Sequence, residues 1–132
     1  PVFLCSFLNM PAVAKACLAA CKEEHGAGKD LSILCSGSHG EFSLEDFACA
    51  GALALEIVST DPSFNLDSGA RAAVSLFDAY GRDPLAVIRD APHGRQLIEM
   101  GFDDDLAYCA KIGVVDVVPR FVSGTVTSNK DR

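Results

Sequence analysis

Residues 44–58 read LEDFACAGALALEIV, and from Phe47 to Leu55 no side chain carries a charge. Alanine and leucine dominate this run, and both favour helix. A helix that is apolar nearly all the way round cannot lie on a wet surface. It has to be packed deep inside a domain. That requirement makes the flanking segments informative, because they must supply its neighbours.

Upstream stands a short apolar run, residues 31–35, of strand length. It leads into SGSHGEFS, a glycine-rich loop at residues 36–43, where Ser43 is a natural N-cap for the apolar helix. Asp46, three residues on, suggests an acidic variant of the capping box. Earlier still, residues 2–8 (VFLCSFL) form another strand-like run. Asn9 reads as an N-cap, with Pro11 in the first helical turn. A helix is expected from about Pro11 to Glu24, with Val13, Cys17, Leu18 and Cys21 on one face and Gly26 as its stop. Strand, helix, strand, helix is the pattern of a parallel sheet with crossover helices.

Beyond STDPSFN the chain is helical over 68–80, and again from Asp83-Pro84, through HGRQLIEM, and from the acidic start DDDLAYCAKI. Residues 114–118 look strand-like, and VPRFVSGTVTS reads as a closing hairpin turning at Ser123-Gly124. The expected fold is one α/β domain over 1–132. It would have a mostly parallel sheet with crossover helices, a helical C-terminal half and a closing β-hairpin, of three-layer α/β/α type. The chain opens directly on a strand-like run, so it is expected to be the C-terminal part of a longer protein or a processed one.

Hydrophobic residues make up 49% of the 132 and charged residues 22%, the balance of a globular chain. The net charge of −7 argues against nucleic-acid and anionic-membrane partners. No apolar run reaches the roughly 20 residues that span a bilayer. The six cysteines sit in apolar strand or helix patterns, which points to buried free thiols and a cytoplasmic location.

In open α/β sheets, ligands bind beyond the carboxyl ends of the strands. The loop at 36–43 is therefore a candidate site. Gly37 and Gly40 would let backbone N–H groups turn toward an anion, aided by the helix N-terminus. Ser36, Ser38 and Ser43 could add hydroxyl donors, and His39 an acid or anion contact. The loop has neither a P-loop lysine nor a full GxGxxG, so a plain tight turn is equally consistent with it. Glu45 and Asp46 suit a helix dipole, but one of them could hold Mg²⁺, which often takes one or two carboxylates plus substrate oxygens and water. Adjacent acids cannot face the same way on a helix, so the other would cap or orient. Cys35, at a strand end beside a helix N-terminus, is a candidate nucleophile. His93 and Arg95 could meet a second anionic group, while His25 suits a helix end. Asp103, Asp104 and Asp105 suit a helix start.

Taken together, SFLN…AVAKA, LSILCSGSHGEFSLEDFACAGAL and HGRQLIEMGFDDDLAYCAKIGVVDVVP resemble the 2-phosphosulfolactate phosphatases, the ComB family, over residues 6–119. The resemblance implies a Mg²⁺-dependent hydrolase that converts 2-phospho-3-sulfolactate to 3-sulfolactate and phosphate, a step of coenzyme M biosynthesis. Under it, Ser36, Gly37, His39, Gly40, Ser43 and Asn9 would hold the small anionic substrate. Glu45 or Asp46 would contact Mg²⁺ or position water. Two family segments resembling D.LRATTT and TTNGT are absent from this chain. The exposed, apolar first strand is therefore expected to pair with such a missing segment or with another copy. The alternative function is a non-catalytic domain that binds an anion or a partner.

Overall fold

The computed structural model describes residues 1–23 and 30–128. The predicted stop at Gly26, together with Glu24 and His25, lies outside them. A two-residue strand β1 (Val2–Phe3) opens the chain, followed by a 3₁₀ turn (Phe7–Asn9). Six helices follow among the described residues: α1 (Met10–Glu23), α2 (Leu44–Thr60), α3 (Ser68–Ala79), α4 (Pro84–Asp90), α5 (Pro92–Glu99) and α6 (Asp103–Cys109). Strands β2 (Arg120–Val122) and β3 (Thr125–Thr127) close the order.

The helix boundaries follow from their caps. Ser43 accepts from the Asp46 amide at the start of α2, and Asp67 accepts from Ala70 at the start of α3. Asp83 caps α4 ahead of Pro84, whose missing N–H would have had no intrahelical partner there in any case. The apolar helix α2 is buried as its composition demands, with Ala48, Gly51, Ala52, Leu53, Ala54 and Ile57 all shielded from solvent. It packs on α1, α3 and α4. Phe7, Met10, Leu18, Phe77 and Val87 complete this core, and the rings of Phe7 and Phe77 stack 6.0 Å apart. The approach of α3 depends on Gly51. A Cβ there would lie 2.2 Å from the carbonyl oxygen of Ala73.

The sheet differs from the expected one. It has three strands in the order β1-β2-β3, and both pairings are antiparallel, with Val2 opposite Phe121 and Phe121 opposite Val126. No parallel pair occurs among the described residues. Two local causes are visible. The first strand ends early, because Ser6 and Asn9 form a capping box that turns residues 7–9 into a 3₁₀ turn. Asn9 is thus the last residue of that turn and not the N-cap of α1. The second apolar run, residues 31–35, has no regular secondary structure and no backbone hydrogen bond among the described residues. A strand exists only where a neighbour satisfies its N–H and C=O groups, and here none does. Leu34 is accordingly 95% exposed.

The stretch 114–118 is not a strand either. It is held to the start of the chain by Val115 N donating to Leu8 O (3.0 Å) and Leu4 N donating to Pro119 O (3.0 Å). The predicted hairpin is present, with Ser123 and Gly124 as its two turn residues. Among the described residues no helix is long and apolar enough to cross a membrane.

Candidate functional site

The loop at 36–43 is a miniature hairpin tied to the first turn of α2. Ser38 N donates to Glu41 O (3.0 Å) and Glu41 N to Ser38 O (2.9 Å). His39 and Gly40 between them both have positive φ, 53° and 82°, the requirement of a type I′ turn. Glycine meets this without strain, whereas histidine does so at some cost. Gly37 is constrained twice. Its φ is +75°, and a Cβ would lie 2.7 Å from the carbonyl oxygen of Glu41.

Asp46 fastens this hairpin to the helix. Its Oδ2 accepts from Ser36 Oγ (2.9 Å) and from the Gly37 amide (2.8 Å), while its own amide donates to Ser43 Oγ (3.2 Å). The expected capping box is therefore only half formed. Ser43 caps, but the Asp46 side chain reaches ten residues back along the chain instead of to the cap. The amides of Gly37, Ser38 and Glu41 are all committed within the protein, so they do not form a free anion cradle. The donors that remain at the start of α2 are the first-turn amides of Leu44 and Glu45, which have no intrahelical partner.

Ser36, His39 and Gly40 are exposed, Gly37, Glu45 and Asp46 are half-buried, and Ser43 is buried. Beside them Phe42 stacks edge-on against Phe47, with centroids 5.3 Å apart. Asn9 has a different role. It is buried, and Oδ1 accepts from Ser6 N (2.8 Å) and Ser6 Oγ (3.4 Å). Its Nδ2 donates to Leu4 O (3.2 Å) and Val117 O (3.0 Å). Two donors and two acceptor sites are all an amide side chain offers, so Asn9 is saturated as a clasp between the start of the chain and residue 117.

Cys5, Cys35 and Cys49 lie near one another beside Asp46. Cys5 and Cys49 share a hydrogen bond, which lowers the pKa of Cys5 and, with burial, raises that of Cys49. Cys35 is pushed up, first by burial and then by the nearby Asp46 carboxylate. An anion beside a partly desolvated thiol opposes the thiolate, which argues against Cys35 as a nucleophile. Cys17, raised to about 11 chiefly by burial, is no better placed. All six cysteines are free thiols, but they are not buried as expected: Cys5 and Cys109 are exposed and the other four half-buried.

The other charged candidates serve at the surface. Arg95 pairs with Asp90, which also accepts from the Tyr80 hydroxyl, and His93 is exposed in the first turn of α5. Asp103, in the first turn of α6, faces Arg89 at 3.4 Å. Among the described residues no group of three or more His, Cys, Asp or Glu is arranged to hold a metal. A magnesium site of the sparse kind would need only one or two carboxylates beside substrate oxygens and water. Asp46 Oδ1 and the Glu45 carboxylate accept no hydrogen bond among the described residues and are the available oxygens.

Sequence reasoning missed the Asp46 tether, the Asn9 clasp and the Cys5–Cys49 contact. Only the clasp had a local signal, the Ser6-x-x-Asn9 spacing of a capping box.

A sequence profile described as 2-phosphosulpholactate phosphatase matches residues 1–124. A protein of Symbiobacterium thermophilum named probable 2-phosphosulfolactate phosphatase is 34% identical over 125 residues, covering 95% of this chain and 51% of its own. Proteins of the same name are 32% identical in Thermotoga petrophila, over 93% of this chain and 49% of theirs, and 32% in Deinococcus radiodurans, over 93% and 48%. The chain spans about half the length of the curated relatives it matches.

Proposed function

The chain belongs to the 2-phosphosulfolactate phosphatase family, and from that premise we propose that it supplies part of the active site of a Mg²⁺-dependent phosphatase. The substrate is 2-phospho-3-sulfolactate or a similar small phosphorylated acid. Water attacks phosphorus, the bond from phosphorus to the C2 oxygen breaks, and that oxygen takes a proton, giving sulfolactate and inorganic phosphate. The observation that carries the reading is the convergence of Ser36, Gly37 and Ser43 on Asp46 at the first turn of α2.

In this reading the Leu44 and Glu45 amides bind the anionic end of the substrate, with His39 and Gly40 at its rim, while Ser36, whose one hydroxyl proton goes to Asp46, braces the hairpin. Asp46 fixes the hairpin, and either Glu45 or Asp46 Oδ1 would hold Mg²⁺. Bound there, the ion would neutralise phosphate charge in an acidic protein. The acid that does not hold the ion would orient the water. Asn9 keeps the strand exit in place and touches no substrate. The remaining acidic and hydroxyl groups come from the half of the family's length that this chain does not match. We also propose, on the strength of the unpaired run 31–35, that the whole protein has the mostly parallel three-layer sheet. A cytoplasmic location and a role in coenzyme M-type metabolism belong to the same proposal.

The test is phosphate release from 2-phospho-3-sulfolactate by the full-length protein, with Mg²⁺ and again with EDTA. No release with Mg²⁺ present would refute it. Glu45→Gln or Asp46→Asn should abolish the thermal stabilisation that Mg²⁺ gives without substrate, and unchanged stabilisation in both removes the metal role. A second reading, a non-catalytic binding domain, is favoured by the match to only about half of the relatives' length, which leaves the D.LRATTT-like and TTNGT-like segments out of this chain. It predicts stabilisation by phosphate or sulfolactate without turnover.

A further inference from the structure

Residues 31–35 have an apolar sequence, and none of their backbone groups is paired among the described residues. Leu31, Ser32 and Ile33 line a groove of about 1020 Å³ floored by Ala50, Ala54 and Ile57 of α2, with Ile33 still exposed. Leu34, by contrast, is 95% exposed, more than any other large apolar residue described. The run thus leaves the helical layer and reaches solvent at Leu34. The first strand shows a similar imbalance, with Val2 60% and Leu4 43% exposed around a half-buried Phe3. A strand-length apolar segment left unpaired, with a bare leucine, is costly in water and readily accepts another strand.

We infer that residues 32–35 are the acceptor strand for the half of the family's length that this chain does not match. That half would add a strand along 32–35 and an apolar helix face over Leu34. The length argument selects this occupant. The Symbiobacterium relative matches 95% of this chain with only 51% of its own length, so a segment of nearly equal size remains to be placed against it. A second copy of this chain is the rival occupant. Such a copy would bring another uncovered Leu34 and would still leave the unmatched half of the family's length without a place. The inference deepens the three-layer reading above and is independent of the phosphatase reading.

The experiment is amide hydrogen exchange on two proteins. One is this chain alone. The other is a single polypeptide in which this chain replaces the matching half of the Symbiobacterium relative. In the chain alone, at concentrations where sedimentation shows a monomer, the amides of residues 33–35 exchange near their intrinsic rates. In the chimera they slow by at least about a hundredfold. Leu34→Asp lowers the melting temperature of the chimera and leaves that of the chain alone unchanged. A chimera that melts cooperatively but leaves these amides fast overturns the inference. So does their protection in the isolated monomer, whatever the chimera does. A dimer of the chain alone that protects them, and that Leu34→Asp dissociates, assigns the surface to a second copy and overturns it as well. Phosphate release is read separately, so a protected but inactive chimera counts against the phosphatase reading alone.

Discussion

Replacing Gly51 by alanine tests how closely α2 and α3 are locked. In an exposed helix this change stabilises by about 1 kcal/mol, because alanine is the better helix former. Here the new Cβ would stand 2.2 Å from Ala73 O, 2.5 Å from Ala73 C and 2.9 Å from Val74 N. All three are backbone atoms of a packed helix, so no flexible side chain can swing away. Relief requires α3 to move by roughly an ångström, which disturbs the contacts of Ala73 and Phe77 with α2. Overpacking of this kind costs about 3 kcal/mol at the upper end of its usual range. Less the propensity gain, the net loss is ~2 kcal/mol, or roughly 5–10 °C in melting temperature for a chain of this size. Thermal denaturation followed by circular dichroism reads it directly. Gly69→Ala is the control. Its Cβ would meet only Asp67 Oδ1 at an ordinary 3.4 Å, so that variant should gain stability. If Gly51→Ala were as stable as Gly69→Ala, the close approach would carry no energetic weight and the reasoning would fail.

Asn9→Ala should cost about 2–4 kcal/mol, since it leaves Ser6 N, Leu4 O and Val117 O without their partner. Asn9→Asp should be worse at neutral pH because it points an acceptor at two carbonyls, and urea titrations that ranked the pair the other way would contradict the clasp. Iodoacetamide should modify Cys5 before Cys17, because the Cys49 hydrogen bond lowers the first thiol and burial raises the second to about 11; peptide mass mapping after brief alkylation gives the order. The Tyr80–Asp90 contact sets a pH window. Asp90 is lowered by the Tyr80 hydroxyl and then Arg95, so its stabilisation is present above the ordinary aspartate range and fades as pH falls through the lowered value. Tyr80 is raised by the same bond, so its share is intact below the usual value near 10 and is lost as pH climbs past the raised one. Tyr80→Phe should flatten both flanks of a stability–pH curve, and an unaltered curve would show that the contact is not maintained in solution.

The helices were legible because their signals are local. Ser43, and Asp83 followed by Pro84, each fix a start within a few residues, and the charge-free run after Asp46 required the burial that α2 shows. The Ser123-Gly124 turn was legible for the same reason. The sheet was not. Residues 31–35 have the composition of a buried strand, but pairing is a property of two segments, and composition names only one. Val2 and Phe3 do find a partner, yet it is antiparallel and comes from the far end of the chain. At the site, Asp46 was read as a dipole or metal residue because its helical position allows either. Its bonds to Ser36 and Gly37 depend on how the Ser38–Glu41 turn folds back, which no spacing rule encodes.

The pairing of Val2 with Phe121 also has a kinetic consequence. Closing a loop of about 120 residues costs on the order of 4 kcal/mol in chain entropy before two short strands return anything. The α2–α3 pair, joined by the short link from Asp61 to Asp67, faces a much smaller closure cost. Folding should therefore begin at the helical pair and seal the sheet and the Asn9 clasp last. Truncating Phe121 should speed unfolding and leave the folding rate almost untouched, whereas truncating Phe77 should slow folding itself.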